Sequence, residues 1–523
     1  MSLAGFRDRN EIRIFAILSV VCTFFLSFGP GRTQGARVIA HAHALLYEGR
    51  NTIDTCHWNT LDKLYYHGHY FTSGCPGMGY LAVPTLAVFD ALYSLVPEKA
   101  TRPLNERFRQ QLEQKCRPLI AEGCMSFDPA VNKVDLLRFH AAIWFFELLI
   151  VLLMAAGAVV FYRVLLLFEL PRDLACQTSL LLGLGTTLLF YARIPYSVVP
   201  NAFLLLLAFY LITLVQRQPN ASAKVQAVRL LAAGLALGFG VVVHYIQIIG
   251  AGVLFLYAWH QVGSRRVCWV ALGGLPMGLL IMLYQYAAFG DPFVNPFQYA
   301  IPILAVENQQ EVIRIVYPTW DRLSAIVLGL RRGLFVYNPV LVLFVLLMIR
   351  GALSLRRHVA LSALGLSMLA GFFLFQASTR QVDSLWGIGP RYASVVVPFL
   401  LLGVVLIKNS LERKAFYWLA WLSVLINCLM VQRDIEAQHY AFPLADAARA
   451  FLRSGPTNSF LETALPLAGV SSPRATWLVG LAAYAVLAGI LYLIWRKTTT
   501  QAPLSPPGTV QGNPQLELKA ERR

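Results

Sequence analysis

Long apolar stretches separated by short polar connections set the pattern of this chain. They cover residues 12–29, 139–161, 174–192, 198–215, 230–246, 247–262, 268–289, 333–349, 359–377, 392–408, 415–432 and 475–495. A helix needs about 20 mostly apolar residues to cross a bilayer, so the pattern predicts about 12 transmembrane helices. The two stretches meeting near Tyr245 are short, and are expected to tilt or to cross incompletely. One segment breaks the rhythm. Residues 30–138, directly after the first span, form a polar loop that must lie on one face of the membrane. Within it, Met78 to Val96 reads as an amphipathic helix at the interface, the alternative being a thirteenth span. Pro84 and Asp90 favour the interface, because an Asp at mid-membrane costs about 2.5–3.5 kcal/mol. An extra crossing would also reverse the side of every later connection.

Composition adds the class. With 57% hydrophobic and 14% charged residues and a mean hydropathy of +0.58, the chain is too apolar for a soluble domain. We expect an all-α polytopic membrane protein, residues 1–495 forming the integral domain and residues 496–523, rich in Pro, Gln and Thr, a disordered cytoplasmic tail. The net charge of +17 would suit nucleic acid, but the basic residues sit in the short connections. Arg163 and Arg172, Arg217 and Arg229, Arg265 and Arg266, Arg356 and Arg357, Arg413 and Lys414, and Arg496 and Lys497 all fall on one side when the chain begins in the cytoplasm. That is the positive-inside rule, so both termini are expected in the cytoplasm, with lipids and not nucleic acid as the partners of these charges. Arg7, Arg9 and Arg13 also resemble the start of a signal peptide, but no small-residue cleavage site follows Phe28, and the first span reads as an uncleaved anchor. The outer face receives the long loop and the loops 290–322, 378–391 and 433–474.

Four of the eight cysteines, Cys56, Cys75, Cys116 and Cys124, lie in the long loop, and the others fall in apolar spans. An even set on an outer face predicts two disulfides, and nearness in sequence favours Cys56 with Cys75 and Cys116 with Cys124. A zinc site of Cys56, His57, His67, His69 and Cys75 is the rival, without CxxC or HxxxH spacing behind it. No P-loop, dinucleotide fingerprint, GxSxG elbow or HExxH occurs, so neither cofactor nor metal is expected. The glycines of GLALGFG sit inside a span, where close helix packing accounts for them.

The run TQGARVIAHAHALLYEGRNTIDTCHWNTLDKLYYHGHYFTSGCPGMGYLAVP, residues 33–84, resembles the first outer loop of bacterial C-type glycosyltransferases, the superfamily of protein O-mannosyltransferases and the lipid A aminoarabinose transferase. In that family a small-residue helix leads to ID, NTxDK, GHYYS and then KAPG or KPPG. FGDPF at Phe289–Phe293, RGLFVYNPVL at Arg332–Leu341 and GPRYASVVVPF at Gly389–Phe399 extend the likeness in order. The resemblance implies a 12- or 13-helix enzyme of the bacterial inner membrane. It would transfer a sugar from a polyprenyl-phosphate donor to a glycan, lipid or protein acceptor on the periplasmic face. An acceptor hydroxyl needs a carboxylate base, and an anionic leaving group needs cations.

Asp62 is the first candidate for the base and Asp54 the second, since Lys63 adjoins Asp62 and can hold it ionised. The family often places an acid soon after the first span, where this chain has Gln34 and no acid before Glu48. The lysine two residues before PG is absent too, and Gly74 stands there. Arg391 is the strongest substitute for holding the donor phosphate, because a guanidinium grips phosphate through two parallel hydrogen bonds. Lys63, Arg332 and Arg37 follow. His67, His69, Tyr70, Tyr392 and Trp386 are candidates for contacts to the sugar or acceptor. Two other readings stay open: a transporter or flippase of lipid-linked saccharides, and an inactive relative, to which the missing lysine lends weight.

Overall fold

The structure is a computed structural model of the 523-residue chain and describes residues 8–28, 33–301, 316–354, 358–379, 387–432, 440–467 and 472–500. Each predicted span falls on a helix or a broken pair of helices. Among the described residues six helices are long and apolar enough to cross a membrane: Leu136–Leu167, Val198–Arg217, Ala223–Val243, Ser264–Phe289, Val359–Ala377 and Arg474–Thr498. Of the other predicted spans, the helix Ser410–Met430 is long enough but less apolar, and the rest are shorter or interrupted. One splits at Gly185–Thr187 into Arg172–Leu184 and Leu188–Ala192, and another runs Ala393–Leu406 through 3₁₀ turns on both sides of Val397–Leu401. The last helix continues to Thr500, past the predicted start of the tail, and residues 501–523 lie outside the described residues.

Small residues bring backbones together. A Cβ on Gly234 would come within 1.9 Å of the Val270 carbonyl oxygen, and one on Gly273 within 2.1 Å of that of Leu231. Ala223–Val243 and Ser264–Phe289 therefore pack at backbone contact, as the apolar glycine run requires. Polar contacts join other helices: Glu11 pairs with Arg163 at 2.8 Å, and Arg13 Nε donates to Thr498 Oγ1 at 2.9 Å. The beginning of the first helix and the end of the last thus lie side by side.

The long loop is folded and carries its own small core of Phe108, Leu112, Cys116, Met125, Phe127 and Leu136. Its helices are Thr33–His43, Gly77–Tyr93, Glu98–Lys115 and the short Arg117–Ala121. Gly77–Tyr93 buries Met78, Ala82, Leu86 and Phe89 along one face and leaves Val88 and Leu92 exposed. Asp90, near its end, pairs with Arg138 at 2.7 Å and accepts from the Tyr47 hydroxyl, which is how this carboxylate is satisfied.

Two expectations are corrected here. The all-α reading misses a β-hairpin, β1 (Lys63–Tyr66) and β2 (His69–Thr72), paired antiparallel with Lys63 opposite Thr72. His67 and Gly68 turn it with φ of 49° and 85°, the positive pair that a two-residue type I′ turn demands. The two disulfides are also absent: Cys56, Cys75, Cys116 and Cys124 are all free thiols. Each sits in a different environment. Cys56 lies in the main core, Cys116 in the loop core, Cys75 Sγ accepts from the Tyr245 N–H at 3.2 Å, and Cys124 faces the Glu122 carbonyl. Burial pushes the Cys56 and Cys75 thiols up to about 12, which keeps them protonated and unreactive. Alkylation of the denatured, unreduced protein is expected to label all four loop cysteines. A pair that labels only after reduction would contradict these positions.

Candidate active site at the junction of loop and helix ends

Helix Thr33–His43 carries Arg37 and His41 one turn apart on its buried face. Its start is fixed by Thr60, whose hydroxyl donates to the Thr33 carbonyl at 2.9 Å. Asp62 is then held by its neighbours. Its N–H donates to Thr60 Oγ1 at 3.0 Å, its carbonyl accepts from the Ser73 N–H at 3.1 Å, and its Oδ1 accepts from the Ser73 hydroxyl. Oδ2 stands 3.1 Å from Arg37 Nε, whose N–H is directed to Gln34 Oε1, also at 3.1 Å. Oδ2 is therefore a buried acceptor next to a cation, with no hydrogen-bond donor among the described residues.

Gly74 explains where that cation comes from. A Cβ there would lie 1.5 Å from Arg37 Nη1 and 2.4 Å from its Cζ, so the guanidinium lies across the bare backbone. Three residues on, a Cβ at Gly77 would meet the backbone of Val242 and Val243 at 2.6 Å. With the Tyr245–Cys75 hydrogen bond, this seats residues 74–77 on the break between Ala223–Val243 and Ile248–Val262. The interruption near Tyr245, read from sequence as two short spans, is the receptor for the loop.

Arg391 approaches from the start of the Ala393–Leu406 segment. Its guanidinium stacks 4.1 Å from the Tyr196 ring centroid and 5.6 Å from that of Tyr392, and its Nε has no acceptor among the described residues. Tyr392 packs 5.2 Å from the His244 ring. Ser197, Asn201, His244, Gln247, Arg391 and Tyr392 line a small cavity of about 10 Å³, room for about one water. The buried Arg37 and Arg391 are both within electrostatic reach of His244, and the buried Arg391 and Arg332 of Tyr191.

The remaining candidates are placed differently. Asp54 has both oxygens engaged: Oδ1 accepts from the Tyr70 N–H at 2.7 Å, and Oδ2 meets His69 Nδ1 at 2.9 Å and Arg50 at 3.7 Å. Burial pushes its pKa up, but these hydrogen bonds outweigh burial and hold it below the usual carboxylate value. Asp54 and His69 thus brace the hairpin, and His67 forms its turn. Lys63 is buried, donating to the carbonyls of His57 and Cys124, each at 2.9 Å, under the rings of Trp58 and Tyr70. Burial lowers it to about 8, and these bonds direct it away from Asp62 into the loop. Tyr70 stacks on His57 with centroids 3.9 Å apart. Trp386 lies outside the described residues. Sequence reasoning missed Ser73, Asn201 and Gln247. The last two carried a signal, since amides within apolar spans are rare without a task.

Two loop histidines give the fold a pH dependence. Burial, reinforced by Lys63, lowers His57 to about 4. Burial also lowers His41 to about 4, opposed by Asn51 and reinforced by Arg37. Unfolded, both take up protons near pH 6.5, whereas the folded protein resists protonation until about 4. Unfolding therefore binds protons across that window, and stability is lost as pH falls from about 6.5 towards 4. Melting temperature in detergent should drop over this range, and His57→Gln should flatten the slope. A melting temperature that rises on acidification would be the opposite sign.

Neither a scan of protein-family models nor a search of curated proteins finds a match. Among solved structures, the chain is similar to the crystal structure of ArnT from Cupriavidus metallidurans bound to undecaprenyl phosphate. The TM-score is 0.45 and the identity 14%, over 93% of this chain and 77% of that one.

Proposed function

We propose that this protein transfers a sugar from a polyprenyl-phosphate donor to an acceptor hydroxyl at the periplasmic face of the bacterial inner membrane. Asp62 is the general base, and Arg391 and Arg37 hold the donor phosphate. The observation that carries this reading is the buried Asp62 Oδ2, which has no hydrogen-bond donor among the described residues and sits 3.1 Å from Arg37 where the loop meets the helix ends. An oxygen without a hydrogen bond of its own is open to the hydroxyl proton of an acceptor. Arg37 beside it suits an anionic leaving group, supplying the cation where Gly74 has no side chain. Motifs at residues 33–84, 289–293, 332–341 and 389–399 support the same class.

In the reaction, the acceptor oxygen attacks the anomeric carbon while its proton passes to Asp62 Oδ2. The bond from that carbon to the phosphate oxygen breaks, and polyprenyl phosphate leaves with the electron pair, its charge met by the guanidiniums. No nucleotide enters the step. The basic connections support cytoplasmic termini and a donor site on the opposite face.

Purified protein in detergent, heated with a panel of polyprenyl-phosphate sugars, tests the reading. One donor should raise the melting temperature, because a ligand at 100 times its Kd stabilises the folded state by about 2.7 kcal/mol. Absence of any shift, together with movement of a lipid-linked saccharide across proteoliposomes, would favour the flippase.

A further inference from the structure

The face that helix Gly77–Tyr93 turns away from the protein is almost wholly apolar. Pro84, Ala87, Val88, Ala91, Leu92 and Leu95 are all exposed and follow one another at helical spacing, with Leu95, just past the helix end, 78% exposed. Ser94 interrupts them, but its hydroxyl donates to the Ala91 carbonyl at 2.8 Å. A helix of an aqueous loop carries polar residues on its outer face, so a continuous apolar stripe marks contact with something other than water.

The ends of this helix say what that is. Gly77, at its start, meets the Val242–Val243 backbone at the loop-side end of one transmembrane helix. Asp90, near its finish, pairs at 2.7 Å with Arg138, which immediately precedes the apolar span of another. Both ends are thus held where hydrocarbon meets water, and the stripe between them faces acyl chains. Helix Glu98–Lys115 is held at the same level, since the Phe108 ring packs 4.9 Å from His140 and 6.0 Å from Trp144, in the first turns of that span. Its first half adds charge. Lys99, Arg102 and Arg107 are exposed and have no carboxylate partner among the described residues. Of the two acids nearby, Glu106 is paired with Arg109 at 2.5 Å, and Glu98 sits in the first turn, where the helix dipole favours it.

We infer that the turn joining Gly77–Tyr93 to Glu98–Lys115 is a binding site for anionic phospholipid, with acyl chains along the Val88, Leu92 and Leu95 stripe and the phosphodiester headgroup against Lys99, Arg102 and Arg107. A zwitterionic headgroup brings its own cation, which offsets the attraction of three exposed basic residues, whereas a headgroup with net negative charge keeps it. The inference stands apart from the transfer reaction, because it needs only the membrane.

The test uses the full-length protein in nanodiscs of phosphatidylglycerol and phosphatidylcholine in equal amounts, with the photoreactive residue benzoylphenylalanine in place of the exposed Leu95. Irradiation and mass spectrometry should find phospholipid attached at this position, with phosphatidylglycerol enriched by roughly fivefold or more over phosphatidylcholine. The same probe in place of Leu279, on the exposed face of Ser264–Phe289, should capture the two lipids in the proportion supplied. Enrichment at position 95 should fall towards that proportion when Lys99→Gln, Arg102→Gln and Arg107→Gln are combined, three surface changes that leave the packed face of the helix intact, and also in 1 M salt, which screens exposed charges. No lipid adduct at position 95, or an adduct with a second copy of the chain, would overturn the site. Equal capture of both lipids there, or enrichment that survives the three substitutions, would remove the basic residues from it and overturn the inference as well.

Discussion

Asp62→Asn is expected to lose transfer by about 10²–10⁴-fold while folding and binding donor as before. The amide keeps the shape of the carboxylate and its hydrogen bond with Ser73, but cannot take the proton of the acceptor hydroxyl. Two companions sharpen the result. Asp54→Asn disturbs the brace between His69 and the Tyr70 N–H, so its effect should appear as a lower melting temperature with transfer largely kept. Gly74→Ala drives a methyl into the Arg37 guanidinium, the mobile end of a flexible side chain, and so should leave the fold standing while displacing the cation from Asp62. Its activity should fall towards that of Arg37→Ala. The measurement is transfer of labelled sugar by purified variants whose melting curves are intact. Full activity in Asp62→Asn would remove Asp62 as the base, and a loss confined to Asp54→Asn would move the role there.

Arg391→Ala should weaken donor binding by roughly 30-fold to several-thousandfold, the range for deleting one partner of a buried, hydrogen-bonded charge pair, about 2–5 kcal/mol. Lysine should not rescue it. The guanidinium sits 4.1 Å over the Tyr196 ring with its Nε unpaired among the described residues, and a single ammonium reproduces neither the stacking nor a bidentate grip on phosphate. Isothermal or thermal-shift titration with the donor separates this from a catalytic defect, since Asp62→Asn should bind and Arg391→Ala should not. Unchanged affinity in Arg391→Ala would leave Arg37 and Arg332 to hold the phosphate.

Among the candidate residues, legibility followed how local the governing physics is. Asp62 and Arg391 stood out through the short motifs that contain them, NTLDK and GPRY, and through the chemistry of a carboxylate base and a phosphate-gripping guanidinium. Asp54 and Lys63 stood out for the same reason, yet their partners, the Tyr70 N–H and the carbonyls of His57 and Cys124, are set by a hairpin and a loop core that no short window reveals. The hairpin itself was readable in KLYY, His67-Gly68 and HYFT, whose β-forming residues flank a glycine in a two-residue turn. The disulfide expectation failed for a different reason. Parity and compartment say that thiols can pair, but only packing decides whether their sulfurs meet, and here four environments keep them apart.

By itself the sequence determined the membrane-embedded helical class, the position of the folded loop and the break near Tyr245. Each follows from transfer free energy summed along the chain, a local quantity that needs no partner. The tertiary structure decided everything that depends on two distant segments sharing a space. It laid Arg37 over Gly74, set Gly77 against the Val242–Val243 backbone, turned Lys63 inwards, and left the Asn201 and Gln247 amides facing one cavity with Arg391. These contacts join residues far apart in the chain. Their energies arise from close packing and desolvation at particular distances, and a linear pattern of polar and apolar positions contains no distances between segments.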